Sequence, residues 1–203
     1  MIDIDFTKKE MSYLKRHISC GNKKLPSTTA IFNLGSAKNC PSLKKGYCLI
    51  GAKRCYAMKA EKQYKAVRPY RERQRKLFSS LSAEQFAVMF LDIQSRKRKK
   101  FKVLRFNEAG DFKTQLDVQK VERIAELLKP HKINVYAYTA NKDLDFSICK
   151  TCTINASRPD INGHNRFKAV KVFSGKNLTC PGSCKSCSLC EIKLNKTIEV
   201  ELH

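Results

Sequence analysis

The densest chemistry in the chain stands near its end: Cys180-Pro-Gly-Ser-Cys184-Lys-Ser-Cys187-Ser-Leu-Cys190, four thiols at spacing C-x3-C-x2-C-x2-C. Two-residue gaps let thiolates converge on one centre while backbone N–H groups turn toward the sulfurs, as zinc and iron-sulfur sites require. A metal centre is therefore expected here. Three consecutive short gaps resemble the compact ferredoxin arrangement more than the separated pairs of a zinc finger. A four-iron four-sulfur (4Fe-4S) cluster is favoured, with zinc as the alternative; either can act simply to staple the tail.

A second set, Cys40-x7-Cys48-x6-Cys55, has three thiols and no nearby fourth. An iron cube held by three cysteines leaves one iron open, and an open coordination position is the mark of a reactive centre. The alternative closes the set as a structural zinc site, with a fourth thiolate from Cys20, Cys149 or Cys152. Tyr56, directly after Cys55, can shield a cluster or flank a substrate. Glu108 and Asp111, in the run Asn107-Glu108-Ala109-Gly110-Asp111, are candidates to receive an ammonium or a ribose hydroxyl. His17, His131, His164 and His203 show no paired spacing and are not read as ligands. His164 is the one of interest, in a loop that also offers Arg158, Asp160 and Asn162 as polar groups.

The ten cysteines are read in a reducing setting, because the N-terminus MIDIDFTKKEM lacks the basic start, apolar run and cleavage site of a signal peptide. That implies a cytoplasmic protein. Nothing approaches the roughly 18 consecutive apolar residues of a membrane span. The 41 Lys and Arg against 18 Asp and Glu give a formal charge of +23. Such density favours a polyanion, since each phosphate contact releases counterions. Nucleic acid is the expected partner, DNA ahead of RNA; a generic solvated surface is the bland alternative. A membrane surface is disfavoured, because the basic segments lack a broad apolar face. The candidate phosphate contacts are Lys62, Lys65, Arg68 and Arg71, which spiral around a helix, and Arg96, Lys97, Arg98, Lys99 and Lys100.

These groups need a scaffold, and hydrophobic periodicity supplies one. Residues 1–27 read as an N-terminal arm with a short helix, and 28–34 (TTAIFNL) as a strand leading into the first cysteine loop. A helical pattern starts at Ala57, is interrupted at Pro69 and resumes. Ser82 with Gln85 forms a capping box before Phe86, Met89, Phe90 and Ile93, which share a buried face. Residues 103–106 (VLRF) are a strand. Thr114 with Asp117 caps a helix carrying Val121, Ile124, Ala125 and Leu128, stopped by Pro130. Residues 133–140, 152–157 and 169–174 complete about five strands. Strands alternating with helices imply parallel βαβ units. The fold class is α/β: a partial (β/α) barrel or an open parallel sheet, since a full eightfold barrel needs about 250 residues. The expected organisation is the arm 1–27, a barrel-like domain 28–175 and a cysteine-rich extension 176–203. Chemistry belongs at the carboxyl ends of the strands, in loops 35–56, 107–113, 140–150 and 158–166.

The run GNKKLPSTTAIFNLGSAKNCPS, then CYA, RFNEAGDF, YAYTANKD and the cysteine-rich tail together resemble the phage and plasmid family named for gene product eighty-eight, from about residue 21 to 190. The layout is also similar to radical S-adenosylmethionine enzymes, whose first strand leads to a three-cysteine loop and whose second ends in a Gly and acidic loop. That resemblance implies two 4Fe-4S clusters, the catalytic one on Cys40, Cys48 and Cys55 and an auxiliary one on the tail. It implies S-adenosylmethionine on the open iron, with Glu108, Gly110, Asp111 and Tyr138 binding the cofactor and Glu108, Asp111 and Tyr56 serving catalysis. It also implies an electron donor such as flavodoxin or ferredoxin. The spacing here, C-x7-C-x6-C, is wider than the C-x3-C-x2-C of those enzymes. The function expected is a radical enzyme modifying or rearranging a phage DNA base in the host cytoplasm. The rival is a non-catalytic nucleic-acid-binding protein with structural zinc or iron-sulfur sites; a redox-sensing regulator with a labile cluster is a third reading.

Overall fold

The computed structural model describes Thr7 and residues 15–201; the short helix expected in the 1–27 arm falls outside them. Among the described residues eight strands form one sheet: β1 (Ser19–Cys20), β2 (Thr29–Phe32), β3 (Val103–Phe106), β4 (Asn134–Thr139), β5 (Thr153–Ala156), β6 (Asn165–Val170), β7 (Leu178–Thr179) and β8 (Thr197–Glu201). Their order is β1-β2-β3-β4-β5-β6-β8-β7. Every neighbouring pair is parallel except β1 with β2. The α/β class is as expected, with eight strands in place of about five and a strand order that does not close into a ring.

From β2 to β6 each parallel connection steps to the adjacent strand in one direction; β7 then lies beyond β8, which returns to pair between β6 and β7. Crossovers are right-handed, so successive steps in one direction place their connections on a single face. Side-chain parity agrees. In register, Phe32, Phe106, Ala137 and Ile154 form a row that packs into the core with the helices. The preceding row, Ile31, Arg105, Tyr136 and Thr153, points to the opposite face, which is helix-free among the described residues.

The β2–β3 crossover carries α1 (Pro41–Lys44), α2 (Gly51–Arg54), α3 (Tyr56–Gln63), α4 (Val67–Ser80) and α5 (Ala83–Ser95). The break falls at Tyr64–Ala66, ahead of Pro69, which sits in the first turn of α4 where a missing N–H is harmless. Ser82 and Gln85 make the expected capping box, as do Thr114 and Asp117 for α6 (Gln115–Leu128). Each cap contributes about 1 kcal/mol. Pro130 lies in a 3-10 turn, Lys129–His131, that ends α6. Phe32, Phe78, Phe86 and Phe106 make the core's aromatic centre, with ring centroids 4.9–6.4 Å apart. The β4–β5 connection has no helix, yet Phe146, Cys149 and Cys152 carry it into the same core.

Three differences from expectation have local causes. The strand placed at 169–174 begins instead at Asn165, because Asn165, Arg166 and Lys168 carry no strand signal and Asn165 is fixed by Asn155 and by backbone groups of the tail. The short β1 and β7 offer too few residues for periodicity. The 176–203 segment, read as an extension, contributes β7 and β8, and β8 pairs with β6 over five residues.

Candidate functional site

The four loops expected at the carboxyl edge of the sheet meet there. Two carboxylates prepare the first. Glu61 of α3 accepts from Ala37 N (2.6 Å) and Lys38 N (3.2 Å), and Glu72 of α4 accepts from Ser36 Oγ and from Asn39 Nδ2 (2.7 Å). The only two acidic residues between Lys59 and Lys76 thus hold the chain just before Cys40. Pro41 then starts α1, and Cys55 caps the N-terminus of α3.

The loop after β3 is pinned to the cysteine loop at several points. Ala109 N donates to Asn33 Oδ1 (2.7 Å). Tyr56 OH donates to Glu108 O (2.5 Å). Gly110, at φ +75°, packs on Gly35 so closely that a Cβ would lie 2.8 Å from the Gly35 carbonyl oxygen. Asp111 Oδ2 accepts from Ser42 Oγ (2.5 Å) and Ala140 N (2.8 Å), and Oδ1 from Phe112 N (2.8 Å). The other two loops join through the cysteine loop as well. Tyr47 OH and Lys45 Nζ both contact Asp143, at 2.9 and 2.8 Å, and Arg158 donates to Tyr47 O (2.8 Å) while pairing with Asp160.

Cys40, Cys48 and Cys55 are half-buried and electrostatic neighbours. Burial and then Asp111 push the Cys40 thiol up to about 12 against backbone hydrogen bonds, with a smaller upward push from Cys48. Burial also raises Cys48, with Cys55 and Asp111 adding to it. Two desolvated thiols whose negative charge is disfavoured, with a third part-buried thiol beside them, are a donor set a soft cation would relieve. Among the described residues, no group of three or more His, Cys, Asp or Glu side chains stands in metal-coordinating geometry. Cys149 and Cys152 do not join the trio: they lie in the helix-side core, immediately before β5, at the opposite edge of the sheet. Cys20 is exposed on the edge strand β1.

The tail lies across the helix-free face. Thr153 Oγ1 donates to Glu191 O (3.1 Å), Asn155 Nδ2 to Cys190 O (2.9 Å), and Asn165 Nδ2 to Ile192 O (2.9 Å). Cys184 N donates to Lys24 O (3.0 Å), ahead of β2. Cys180, Cys184, Cys187 and Cys190 all line one cavity of about 20 Å³ with Tyr136 and Phe167. Tyr138 OH donates to Cys190 Sγ at 2.9 Å. Arg105 stacks its guanidinium 5.0 Å from the Tyr138 ring centroid.

Each expected contact thus has a definite place. Glu108 is partly exposed and engaged by Asn22 Nδ2 (2.9 Å) and, at 3.9 Å, Arg71. Asp111 is buried with both oxygens occupied, which makes it a tie between loops. Tyr138 lies beside the tail thiols, while Tyr56 is 55% exposed at the cysteine loop. His164 Nδ1 accepts from Ile154 N (3.0 Å), a structural contact. Lys62, Lys65 and Arg68 are exposed near the cysteine loop. Arg71 is not: it is 5% exposed, paired with Glu61 (2.9 Å) and bonded to Ala57 O, so it braces the fold. Arg96 to Lys100 connect the end of α5 to the start of β3 and therefore sit at the amino edge of the sheet, opposite the cysteine loop. There Arg96 pairs with Asp92, Lys97 lies over Phe101, and Lys100 binds the Gln94 and Ser95 carbonyls.

Sequence reasoning passed over Arg105, Asn155 and Asn165. Asparagine is depleted in strands, so two of them inside β5 and β6 were a readable sign of a polar job on the sheet face.

No helix among the described residues is long and apolar enough to cross a membrane. No curated protein and no solved structure matches the chain. The family described as Gene product 88 matches residues 7–161, which take in the cysteine loop and the Glu108–Asp111 loop and stop short of the tail cysteines. With that match over most of its 203 residues, the chain belongs to the gene product 88 family.

Proposed function

We propose that the protein is an iron-sulfur enzyme of radical S-adenosylmethionine type acting on nucleic acid, with phage DNA base modification or rearrangement as the reaction class. The observation that carries this reading is the trio Cys40, Cys48 and Cys55, part-buried at the carboxyl edge of a parallel sheet and tied to the Glu108–Asp111 loop. Those thiols would hold a 4Fe-4S cluster, and the cluster with S-adenosylmethionine supplies hydrogen abstraction by a radical route. The chain's own residues do the rest. Glu108, the partly exposed carboxylate of the loop, would accept the methionine ammonium. Asp111 keeps the two loops in register through Ser42 and Ala140. Tyr56 stands exposed beside the trio as a flat surface for a base, and Lys62, Lys65 and Arg68 offer phosphate contacts on the same side. Family membership supports a phage-encoded protein working in a host cell.

For the tail, a cavity of about 20 Å³ is room for roughly one water-sized occupant. That favours a single zinc ion; a 4Fe-4S cluster requires the tail to spread.

A second reading, a non-catalytic nucleic-acid-binding protein with structural metal sites, draws on a separate observation. The densest basic run, Arg96 to Lys100, lies at the sheet edge away from the thiols. Anaerobic purification with iron, sulfide and zinc analysis, followed by dithionite and S-adenosylmethionine, separates the two. The enzyme reading expects bound iron lost in Cys48→Ala and release of 5'-deoxyadenosine. Zinc alone, with no such product, leaves the binding protein.

A further inference from the structure

Arg105 occupies the centre of the helix-free sheet face, on β3 between the cysteine-loop side and the tail. Its guanidinium has no ion pair or hydrogen bond among the described residues, and its Nε is buried without a partner. Arginine cannot shed its proton in a protein, so this is a part-buried cation with a buried N–H left unpartnered and no close anion bonded to it. Its neighbours say where that charge would arise. It stacks on Tyr138, the residue whose hydroxyl donates to Cys190. Tyr136 joins this group edge-on to Tyr138, at 5.9 Å, and lines the tail cavity. Arg105 lies close enough to Cys184 and Cys190 to act electrostatically on both.

We propose that Arg105 and Tyr138 are the charge-compensating neighbours of a tetrathiolate metal centre on Cys180, Cys184, Cys187 and Cys190. The inference rests on the tail centre proposed above. Four thiolates around a zinc ion or around an oxidised 4Fe-4S core leave a dianion either way. On a part-buried sheet face that charge needs an offset. Arg105 supplies a fixed cation through its stack on Tyr138, and Tyr138 supplies an O–H donor to one thiolate. Exposed Lys24, next to Cys184, is screened by solvent and cannot substitute. Both are positioning residues that act through the thiolates.

The test uses the full-length protein stripped of metal and titrated with cobalt(II), read by its sulfur-to-metal absorption, and with zinc(II) against a competing chelator. Cys187→Ser identifies the signal that belongs to the tail. Arg105→Gln should weaken tail affinity about tenfold or more, Tyr138→Phe should weaken it less, and Arg105→Lys should recover part of the loss. The metal-free Arg105→Gln protein should unfold at the same temperature as the parent or higher, because a cation with a buried, unpartnered N–H has been removed. A role in folding alone would lower both affinity and metal-free stability, and that result overturns the proposal. So does an Arg105→Gln affinity within about twofold of the parent. Loss of inorganic phosphate binding in Arg105→Gln, with metal affinity unchanged, would assign the guanidinium to an external oxyanion instead. If the parent shows no absorption sensitive to Cys187→Ser, the tail centre itself fails, which is a distinct result.

Discussion

The Ser42 hydroxyl donates to Asp111 Oδ2 at 2.5 Å, joining loops that are 69 residues apart in sequence. The same carboxyl receives the N–H groups of Ala140 and Phe112, so three loops at the carboxyl edge of the sheet share one buried acceptor. Replacing it in Asp111→Asn turns part of an acceptor into a donor facing other donors. The expected loss is about 1–3 kcal/mol in urea unfolding, together with faster modification of Cys40 by a thiol reagent as its loop loosens. Unchanged stability and unchanged thiol reactivity would show that the carboxyl is dispensable.

Gly110 and Gly46 both adopt positive φ, at +75° and +71°, but their surroundings differ. A Cβ at Gly110 would strike the Gly35 backbone, whereas one at Gly46 meets nothing within 4 Å. Gly46→Ala should therefore cost only the left-handed backbone penalty, about 1 kcal/mol. Gly110→Ala should cost clearly more than that, since neither backbone can yield. Equal unfolding midpoints for the two variants would contradict the close approach of the loops.

His164 is pushed down to about 4, mainly by burial and secondarily by Lys193. With an unfolded pKa of about 6.5, the folded state binds fewer protons between those values. Stability from this group is thus complete above pH ~6.5 and declines as pH falls toward 4. His164→Asn, which keeps an acceptor for Ile154 N, should flatten urea-midpoint curves across that window. An identical pH slope would place the titration elsewhere.

Arg71 and Arg68 are three residues apart and should behave oppositely. Arg71 is buried against Glu61, which in turn holds the segment before Cys40. Arg71→Gln should destabilise the fold by about 3–5 kcal/mol, the cost of orphaning a buried ion. The exposed triple Lys62→Gln, Lys65→Gln, Arg68→Gln should leave unfolding nearly unchanged. If these three contact phosphates, the slope of oligonucleotide affinity against salt should fall by about 2–3. Fluorescence anisotropy across a salt series measures it, and an unaltered slope would remove this side from the nucleic-acid interface.

The run Arg96 to Lys100 can be weighed in the same assay. Neutralising it should also reduce the salt slope if duplex or single strand reaches around the sheet. Should this cluster account for the whole electrostatic contribution, the nucleic acid is held at the edge away from the thiols, which supports the binding-protein reading.

Local signals were enough for much of this architecture. Capping boxes at Ser82 and Thr114, the spacing of Phe86, Met89, Phe90 and Ile93, and the apolar VLRF run act through neighbours a few residues away, so the amino-acid order alone determined α5, α6, β3 and the α/β class. The approach of the Glu108–Asp111 loop to the cysteine loop also followed from strand-to-loop order, because adjacent parallel strands bring their carboxyl ends together. Other features depended on which face and which edge a residue reaches. Arg71 and Arg68 look alike in a basic helix, yet only packing against Glu61 buries one of them. Arg96 to Lys100 are as basic as any segment, but chain direction sends them to the far edge. Arg105 reads as an ordinary strand residue until Ile31 and Tyr136 in register, and the tail folded over them, leave its Nε buried without a partner. Alternation decides that a side chain points away from its neighbours; only the long-range pairing of strands decides what it then meets.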